Sequence, residues 1–115
     1  MGFLMTSRGW GRKSKYRAKP TVIDGIRFAS KKEAAHYCVL KALENNGAIK
    51  DLKLQVPFKC VVNNKLICTY ICDFVYLDIV AQKMVYCDVK GFRTPVYKIK
   101  KKLVEALHKI LIEEA

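Results

Sequence analysis

The sequence predicts an α/β protein of the α+β kind. Three observations lead to this: a helical pattern begins near Ser30, three strand-like segments follow it, and a second helical pattern begins near Pro95. A chain of 115 residues can bury one modest hydrophobic core but not two independent ones. We therefore expect a single folded domain.

The first predicted elements are a short β-hairpin and a helix. Residues 22–28 hold an Asp-Gly pair between two short apolar runs, which is a strong signal for a hairpin turn. Ser30 stands three residues before Glu33 in the order of a capping box, so Ser30 is expected to be the N-cap of the helix. Gly47 follows two asparagines and is expected to end that helix.

Three strands are predicted after the helix. Residues 49–62 alternate between apolar and polar side chains, with a break at Pro57. An Asn-Asn turn leads to residues 66–77, which contain no glycine or proline and are mostly apolar or β-branched, and residues 84–89 have a similar composition. We expect the last two segments to form a β-hairpin.

The length of the loop in this hairpin decides which acidic side chains meet. If the loop covers residues 78–83, Leu77 pairs with Met84. The antiparallel register then places Asp73 opposite Asp88, with Cβ atoms roughly 5 Å apart. The two carboxylates would share one place on the sheet.

Lys90 belongs to the same predicted cluster. Side chains alternate across a strand, so Asp88 and Lys90 share a face while Val89 points the other way, into the core. A slip of one pair in the register would place Lys90 opposite Asp73 instead. Two carboxylates and an ammonium group can hold a divalent cation beside a phosphate, so this face is a candidate catalytic site.

A second helix is predicted over residues 95–108. Gly91 permits a sharp exit from the third strand, Thr94 can cap the helix, and Pro95 suits its first turn. Four apolar side chains are expected to face the core: Val96, Ile99, Leu103 and Leu107. The remaining residues, 109–114, either prolong this helix or form a short last strand, and periodicity leaves both open.

The charge of the chain points to polyanionic partners. Its formal net charge is +12 and its pI is about 9.6. A surface this basic is typical of proteins that bind nucleic acids. Residues 1–20 are expected to form a flexible basic arm, separate from the domain at residues 21–115. A solvated tail without a binding role is an equal alternative for this arm.

Hydropathy and cysteine usage favour a soluble, cytoplasmic protein. No apolar run approaches the roughly 18 residues of a membrane-spanning helix, and the first residues lack the order of a signal peptide. The five cysteines contain no Cys-x-x-Cys pair, and several occupy positions typical of small buried residues. Reduced core thiols are therefore expected, rather than a zinc or disulfide framework.

Together, these elements and motifs resemble the PD-(D/E)xK nuclease superfamily over residues 21–112. Within it, the chain looks like a family of small phage- and prophage-associated endonuclease-like domains. The resemblance implies a single-domain, restriction-endonuclease-like αβββαβ core with a mixed central sheet. The motifs that carry the likeness are the segment at 22–28, Ser30 to Ala34, Gln55-x-Pro57-Phe58, Asp73-Phe74, Asp88 to Gly91, and Tyr97-Lys98.

The resemblance implies a role for each residue of the cluster. Asp73 and Asp88 would ligate Mg²⁺ or Mn²⁺, with the main-chain carbonyl of Val89 as a further ligand. Lys90 would position or activate the attacking water, and Glu33 would reach the metal directly or through a water molecule. Simpler interpretations stand beside these: Glu33 as the capping-box acid alone, and the aspartates in ion pairs with Lys90.

Basic and polar residues outside the cluster are candidate nucleic-acid contacts. A solvated helix face is the alternative for the lysines of the second helix. Gln55 could instead support the metal site or simply end a strand. The candidates are Arg12, Lys13, Lys15, Arg17, Gln55, Arg93, Lys98, Lys101 and Lys102.

The main expectation is a metal-dependent endodeoxyribonuclease, with branched DNA or junctions as its narrower substrate class. A chain this short that acts on two strands would usually dimerise, so a homodimer is expected. If phage-encoded, it would work in the cytoplasm of the bacterial host. The alternative from another class is a non-enzymatic, basic nucleic-acid-binding protein whose acids only complete ion pairs.

Overall fold

The structure, a computed structural model, describes residues 21–115 and has the expected α+β fold. The predicted basic arm, with Arg12, Lys13, Lys15 and Arg17, lies outside the described residues. The chain divides into two units, one that ends at Ala35 and one that runs from His36 to Ala115. In the described part of the chain, no helix is both long and apolar enough to cross a membrane.

The hairpin predicted at the start of the described chain is present. Strands β1 (Thr21–Ile23) and β2 (Ile26–Phe28) pair antiparallel. The two turn residues between them, Asp24 and Gly25, both have positive φ angles, 54° and 75°. A two-residue turn with this backbone matches the twist of the flanking strands. The Asp-Gly pair therefore predicted the hairpin correctly.

Helix α1 (Lys31–Asn45) begins and ends where its caps predicted. The hydroxyl of Ser30 accepts a 3.1 Å hydrogen bond from the main-chain N–H of Glu33, as an N-cap does. Beyond the last turn, Gly47 adopts a φ of 86°. This left-handed conformation costs glycine little and lets the chain turn away from the helix axis.

A four-stranded mixed sheet forms the centre of the second unit. Its strands are β3 (Ile49–Val62), β4 (Lys65–Asp78), β5 (Lys83–Asp88) and β6 (Ile112–Glu114), and they lie in that order. The first three pair antiparallel, whereas β6 pairs parallel with β5. The order of elements from α1 to β6 is therefore the helix, three strands, helix and strand that the resemblance implied.

Residues 49–62 form one strand, as predicted, and β3 runs without interruption through Pro57. Pro57 pairs with Ile71 of β4. A proline has no N–H to donate to a sheet, and it is tolerated where that side of the strand has no neighbour. β3 is the edge strand of the sheet, so Pro57 costs it little.

The register of β4 with β5 is the predicted one. Leu77 pairs with Met84, and the ladder of paired residues continues to Phe74 and Cys87. The loop is shorter than expected, since Asp78 and Lys83 also pair, which leaves residues 79–82 in the turn. Asp73 and Asp88 occupy the next positions of the same register, at the end of the paired region.

Helix α2 (Pro95–His108) also has the expected bounds. The hydroxyl of Thr94 accepts a 3.0 Å hydrogen bond from the main-chain N–H of Tyr97, and Lys109 ends the helix with a left-handed φ of 55°. After this turn the chain leaves the helix and forms β6. Of the two alternatives for residues 109–114, the short last strand is therefore the correct one.

Of the four side chains of α2 predicted to face the core, Leu103 does so and the other three do not. The side chains of Val96 and Ile99 are 62% and 66% exposed, and Leu107 is also exposed. Val104 is fully buried instead, with Leu103 packed partly against the same core. Apolar residues occupy two overlapping arcs of this helix, and hydrophobicity alone does not decide which arc meets the sheet.

Both faces of β4 are covered at its centre. On one side, Tyr70 and Cys72 form a core cluster with Val104 of α2. On the other, the ring of Phe74 lies 5.4 Å from that of His36 in α1. Residues 72–75 are all buried as a result, so the acidic residue among them lies in an interior environment.

The five cysteines are free thiols, and Cys60, Cys72 and Cys87 are buried, as the sequence led us to expect. Burial in the sheet raises the pKa of Cys72 to about 11 and that of Cys87 to about 11. At neutral pH both are protonated and behave as small apolar residues.

Candidate active site

Asp88 is a fully buried carboxylate at the end of β5, with 0% of its surface exposed. Its Oδ1 accepts a 2.8 Å hydrogen bond from the main-chain N–H of Asp73. Its Oδ2 accepts a hydrogen bond from the hydroxyl of Tyr70, a buried residue of β4. These two donors hold the carboxylate in one orientation, as the interior requires of a buried charged group.

Asp73 lies beside it on β4 and is 9% exposed. Its Oδ2 accepts a 3.0 Å hydrogen bond from the main-chain N–H of Val89. Its Oδ1 accepts a 3.3 Å hydrogen bond from the side-chain amide of Gln55. Asp73 is therefore bonded to the strand that carries Asp88, and Asp88 to the strand that carries Asp73, so the two acids are brought together as predicted.

Gln55 has an unusual backbone for a strand residue. Its φ is +53°, a left-handed conformation that costs a non-glycine residue about 1–3 kcal/mol and that occurs often at functional sites. The side chain of Gln55 contacts Asp73. This hydrogen bond agrees with a role for Gln55 in supporting the acidic pair. A contact between Gln55 and nucleic acid stays a prediction.

Burial is the largest influence on the electrostatics of Asp88. Burial raises the pKa of Asp88, an effect opposed by the N–H of Asp73 and by the positive charge of Lys90. A buried carboxylate with too little compensating charge is stabilised by a nearby cation. A cation beside Asp88 would therefore favour the charged form of its carboxyl group.

Lys90 follows Asp88 by two residues and lies just after the end of β5. Its ammonium nitrogen is 5.0 Å from the centre of the Tyr97 ring, a favourable cation–π geometry. Val89 is only partly buried and uses its N–H to bond Asp73. The prediction that Val89 points into the core is therefore not met, because strict alternation of side chains ends with the strand at Asp88.

Two tyrosines and a glutamate at this site were missed in the sequence. Tyr70 supplies a donor to Asp88, and Tyr97 donates a 2.8 Å hydrogen bond to Glu114. Their ring centres are 6.3 Å apart. The available signal was that a tyrosine in an otherwise apolar strand needs a partner for its hydroxyl when buried. Glu114 gave no signal, because its strand could not be told from a helix extension.

Glu114 pairs with two of the basic residues that were predicted to contact nucleic acid. Its carboxylate lies 2.7 Å from Arg93 Nε and 3.5 Å from Lys101 Nζ. Hydrogen bonds from Tyr97 and Arg93 hold the pKa of Glu114 below its usual range. Two candidate nucleic-acid contacts thus already have an intramolecular partner, whereas Lys98 and Lys102 are exposed on α2.

Glu33 lies in the unit that ends at Ala35, in the first turn of α1. Its N–H is bonded to Ser30, and its side chain is 8% exposed. The capping role of the segment is confirmed. Its role as a metal ligand stays a prediction.

The donor set around the aspartates fits a hard divalent cation in its chemistry. Among residues 21–115, no three or more histidine, cysteine, aspartate or glutamate side chains are grouped as a metal site. Two carboxylates and a main-chain carbonyl can nevertheless suffice for Mg²⁺ or Mn²⁺, which keep several waters and take oxygen ligands. Asp73, Asp88 and the carbonyl of Val89 are the residues that would supply them.

Residues 13–112 match the profile of a family described as protein of unknown function (DUF1064). The chain belongs to this family. No curated protein and no solved structure matches it. The part that matches DUF1064 includes Asp73, Asp88 and Lys90 but ends two residues before Glu114. Because the family description assigns no activity, the function of this DUF1064 protein has to be argued from the chemistry of the site.

Proposed function

We propose that this protein is a metal-dependent endodeoxyribonuclease, which hydrolyses phosphodiester bonds of DNA. The observation that carries the proposal is the pairing of two interior carboxylates, Asp73 and Asp88, across neighbouring strands, with Lys90 two residues further on. Burying two carboxylates side by side costs free energy. Binding of a catalytic cation would explain why the protein keeps both of them in its interior.

Asp73, Asp88 and the carbonyl of Val89 would hold Mg²⁺ or Mn²⁺. When bound, such a cation polarises a phosphodiester and lowers the pKa of a water molecule at the site. Tyr70 and Gln55 orient the two carboxylates through the hydrogen bonds they donate. The carboxylate geometry is therefore built before any ligand arrives, which reduces the reorganisation needed for catalysis.

Lys90 supplies positive charge on the side of the site that faces Tyr97. Placed beside the scissile phosphate, its ammonium group would stabilise the negative charge that develops on the phosphoryl oxygens. It could also donate a hydrogen bond to the attacking water. The resemblance alone supports the further role proposed for Glu33, which would reach the metal directly or through a water molecule.

The substrate would be held mainly by charge. The basic arm with Arg12, Lys13, Lys15 and Arg17, together with the exposed lysines of α2, would contact phosphates at a net chain charge of +12. DNA rather than RNA, and branched DNA or junctions in particular, follow from the resemblance to small phage-associated endonucleases. A homodimer that cuts two strands, in the cytoplasm of a bacterial host, belongs to the same proposal.

The test is cleavage of supercoiled plasmid and of synthetic four-way junctions with Mg²⁺ or Mn²⁺. Wild-type protein should cut, and Asp88→Asn and Asp73→Asn should each lose more activity than the roughly 10–100-fold that loss of an outer-shell partner of a metal ligand costs. Asp51→Asn is the matched control, because Asp51 is exposed and its φ of +58° suits asparagine. No cutting by wild type, or equal cutting by Asp88→Asn and Asp51→Asn, would refute the proposal.

A non-enzymatic nucleic-acid-binding protein is the second candidate. One observation favours it: all four oxygens of Asp73 and Asp88 already accept a hydrogen bond from the protein. In that case the two aspartates only accept hydrogen bonds from main-chain and side-chain donors at the end of the sheet. DNA affinity would then fall steeply with salt, be the same in EDTA and in Mn²⁺, and accompany no cleavage by wild type.

A further inference from the structure

A pocket of about 310 Å³ opens between β4 and the first half of α2. Its size lies at the lower end of the range of small-molecule sites, about 300–1,000 Å³. Six of the residues around it carry polar groups: Thr69, Tyr70, Lys90, Thr94, Tyr97 and Lys100. Ile71 and Val96 add an apolar wall.

The charged side chains that line this pocket, within the described part of the chain, are both lysines. Lys90 follows β5, and Lys100 lies on α2, so two separate elements bring positive charge to one space. Both residues are partly buried. Two positive charges that line one pocket favour an anion between them.

Hydroxyl groups complete the polar lining. Thr94 accepts a hydrogen bond from the N–H of Tyr97, and a hydroxyl that accepts one bond can still donate its own hydrogen. Thr69 lies on β4 and is a further residue of the lining. Two ammonium groups and the hydroxyl group of Thr94 match the oxygens of a phosphate, all of which are acceptors.

The pocket adjoins the acidic pair through two residues. Tyr70 lines the pocket and also donates to the carboxylate of Asp88. Lys90 likewise belongs to both places. Tyr70 and Lys90 therefore connect the pocket to the acidic pair, as expected of a site for the neighbouring unit of the same polymer.

We propose that this pocket binds one phosphate of a nucleic-acid strand, adjacent to the phosphate at the acidic pair, with Lys100 as its main ligand. The sugar or base of that nucleotide packs against Val96, Ile71 and the ring of Tyr97. The assignment of this nucleotide as a neighbour of the scissile bond rests on the proposed function. The anion site itself does not need a metal.

A nucleic acid fits this lining better than an acidic peptide does. The aromatic and aliphatic wall offers a surface for a base or a sugar, and nucleotide bases stack on tyrosine irrespective of sequence. An acidic side chain would occupy the two lysines but leave that wall unused. The net charge of +12 also favours a polyanion with one charge per repeating unit.

Binding in EDTA tests the pocket separately from cleavage. The probe is a fluorescein-labelled single-stranded DNA of about 12 nucleotides, and its dissociation constant is measured by anisotropy across a range of salt concentrations. Lys100→Met should reduce the salt slope by about 0.7 and weaken binding about fivefold at 0.1 M salt, which is the effect of one lost phosphate contact. Lys100→Arg, which retains the charge, should restore most of the affinity.

Lys65→Met is the matched control, since Lys65 is an exposed lysine at the start of β4 and outside this pocket. It should leave the salt slope unchanged. Equal slopes for the Lys100 and Lys65 variants would overturn the proposal. If the Lys100 effect is present but wild-type protein cuts no DNA, the pocket stands and the nuclease proposal fails.

A second measurement locates the ligand. Thymidine 5′-monophosphate should shift the amide resonances of Thr69 and Thr94 in NMR spectra, whereas thymidine, which lacks the phosphate, should not. Shifts caused by a tetraglutamate peptide but not by the nucleotide would contradict the proposal and assign the pocket to acidic side chains.

Discussion

The main-chain N–H of Asp73 donates a 2.8 Å hydrogen bond to the buried carboxylate of Asp88. The carboxylate of Asp73 in turn accepts from the N–H of Val89, the residue after Asp88. The two acids are therefore built into the backbone pairing at the end of β4 and β5, rather than added to its surface. A change in either carboxylate is expected to alter the position of the other.

The first prediction is that Mn²⁺ raises the thermal stability of the wild-type protein. A ligand that binds only the folded state at a hundred times its dissociation constant adds about 2.7 kcal/mol to the free energy of unfolding. The shift in midpoint should be lost in Asp73→Asn and Asp88→Asn, which keep the shape of the side chain but remove its charge. Differential scanning fluorimetry with increasing Mn²⁺ measures it.

Asp51→Asn, which removes an exposed charge, should show the wild-type shift. A Mn²⁺ shift of the same size in all four proteins would mean that the cation binds elsewhere. This measurement does not depend on finding the right DNA substrate, so it separates a metal site from a nuclease of unknown specificity.

The second prediction concerns Tyr70. Tyr70→Phe removes the hydroxyl that donates to Asp88 and leaves a buried carboxylate oxygen without that donor. The expected cost is about 1–3 kcal/mol in the free energy of unfolding, measured by urea denaturation. Tyr86→Phe is the control, since Tyr86 is partly buried against the same core and within the described residues its contact is made by its ring. Equal losses in both variants would contradict the role given to Tyr70.

Local signals in the sequence were sufficient for much of the fold. The Asp-Gly turn, the caps at Ser30 and Thr94, and Pro95 each act through a few neighbouring residues, so their effects can be deduced without a three-dimensional structure. The pairing of Leu77 with Met84 followed from where the loop is centred in the sequence, although the loop is shorter than expected. Because register propagates along a hairpin, that one pair also brought Asp73 and Asp88 together.

Features that depend on packing between distant elements could not be deduced in this way. Val96 and Ile99 form the more regular apolar stripe of α2, yet the sheet packs against the arc with Val104. The donors to the acids, Tyr70 and Gln55, come from 18 residues away in the chain. Such contacts are set by tertiary structure, which a pattern along the sequence does not encode.

The third prediction concerns the last strand. Glu114 accepts from Tyr97 and Arg93, and the next N–H, that of Ala115, donates a 2.8 Å bond to the carbonyl of Asp88. Glu114→Gln weakens these side-chain contacts, so the amide of Ala115 should exchange with solvent faster while amides shared by β3 and β4 keep their protection. Hydrogen exchange followed by NMR measures this.

Glu113→Gln removes the same charge from a neighbouring exposed side chain and should leave the Ala115 exchange rate near the wild-type value. If both variants exchange alike, the contacts of Glu114 do not hold β6 in place, and the ion pairs with Arg93 and Lys101 contribute little, as many exposed pairs do.

The last prediction uses Glu44, near the end of α1. Its carboxylate accepts from the ammonium group of Lys41 at 3.0 Å and from the main-chain N–H of Leu52 at 3.2 Å. Leu52 lies where the register of β3 with β4 shifts. Glu44 therefore accepts a hydrogen bond from a main-chain N–H for which the neighbouring strand supplies no paired residue. The hydrogen bond from Lys41, followed by that from Leu52, lowers the pKa of Glu44 below its ordinary value of 4.5.

A carboxyl group with a lowered pKa in the folded state stabilises that state above its unfolded pKa, and the contribution is lost as the pH falls through the folded pKa. Glu44→Gln should therefore be less stable than wild type at pH 7, by up to about 1 kcal/mol for a partly exposed pair. The difference should shrink once the pH falls below 4.5, in urea titrations across the acid range. Asp51→Asn should show no such pH-dependent difference, and a Glu44→Gln deficit that stays constant down to the acid end would exclude the charge of Glu44 as its cause.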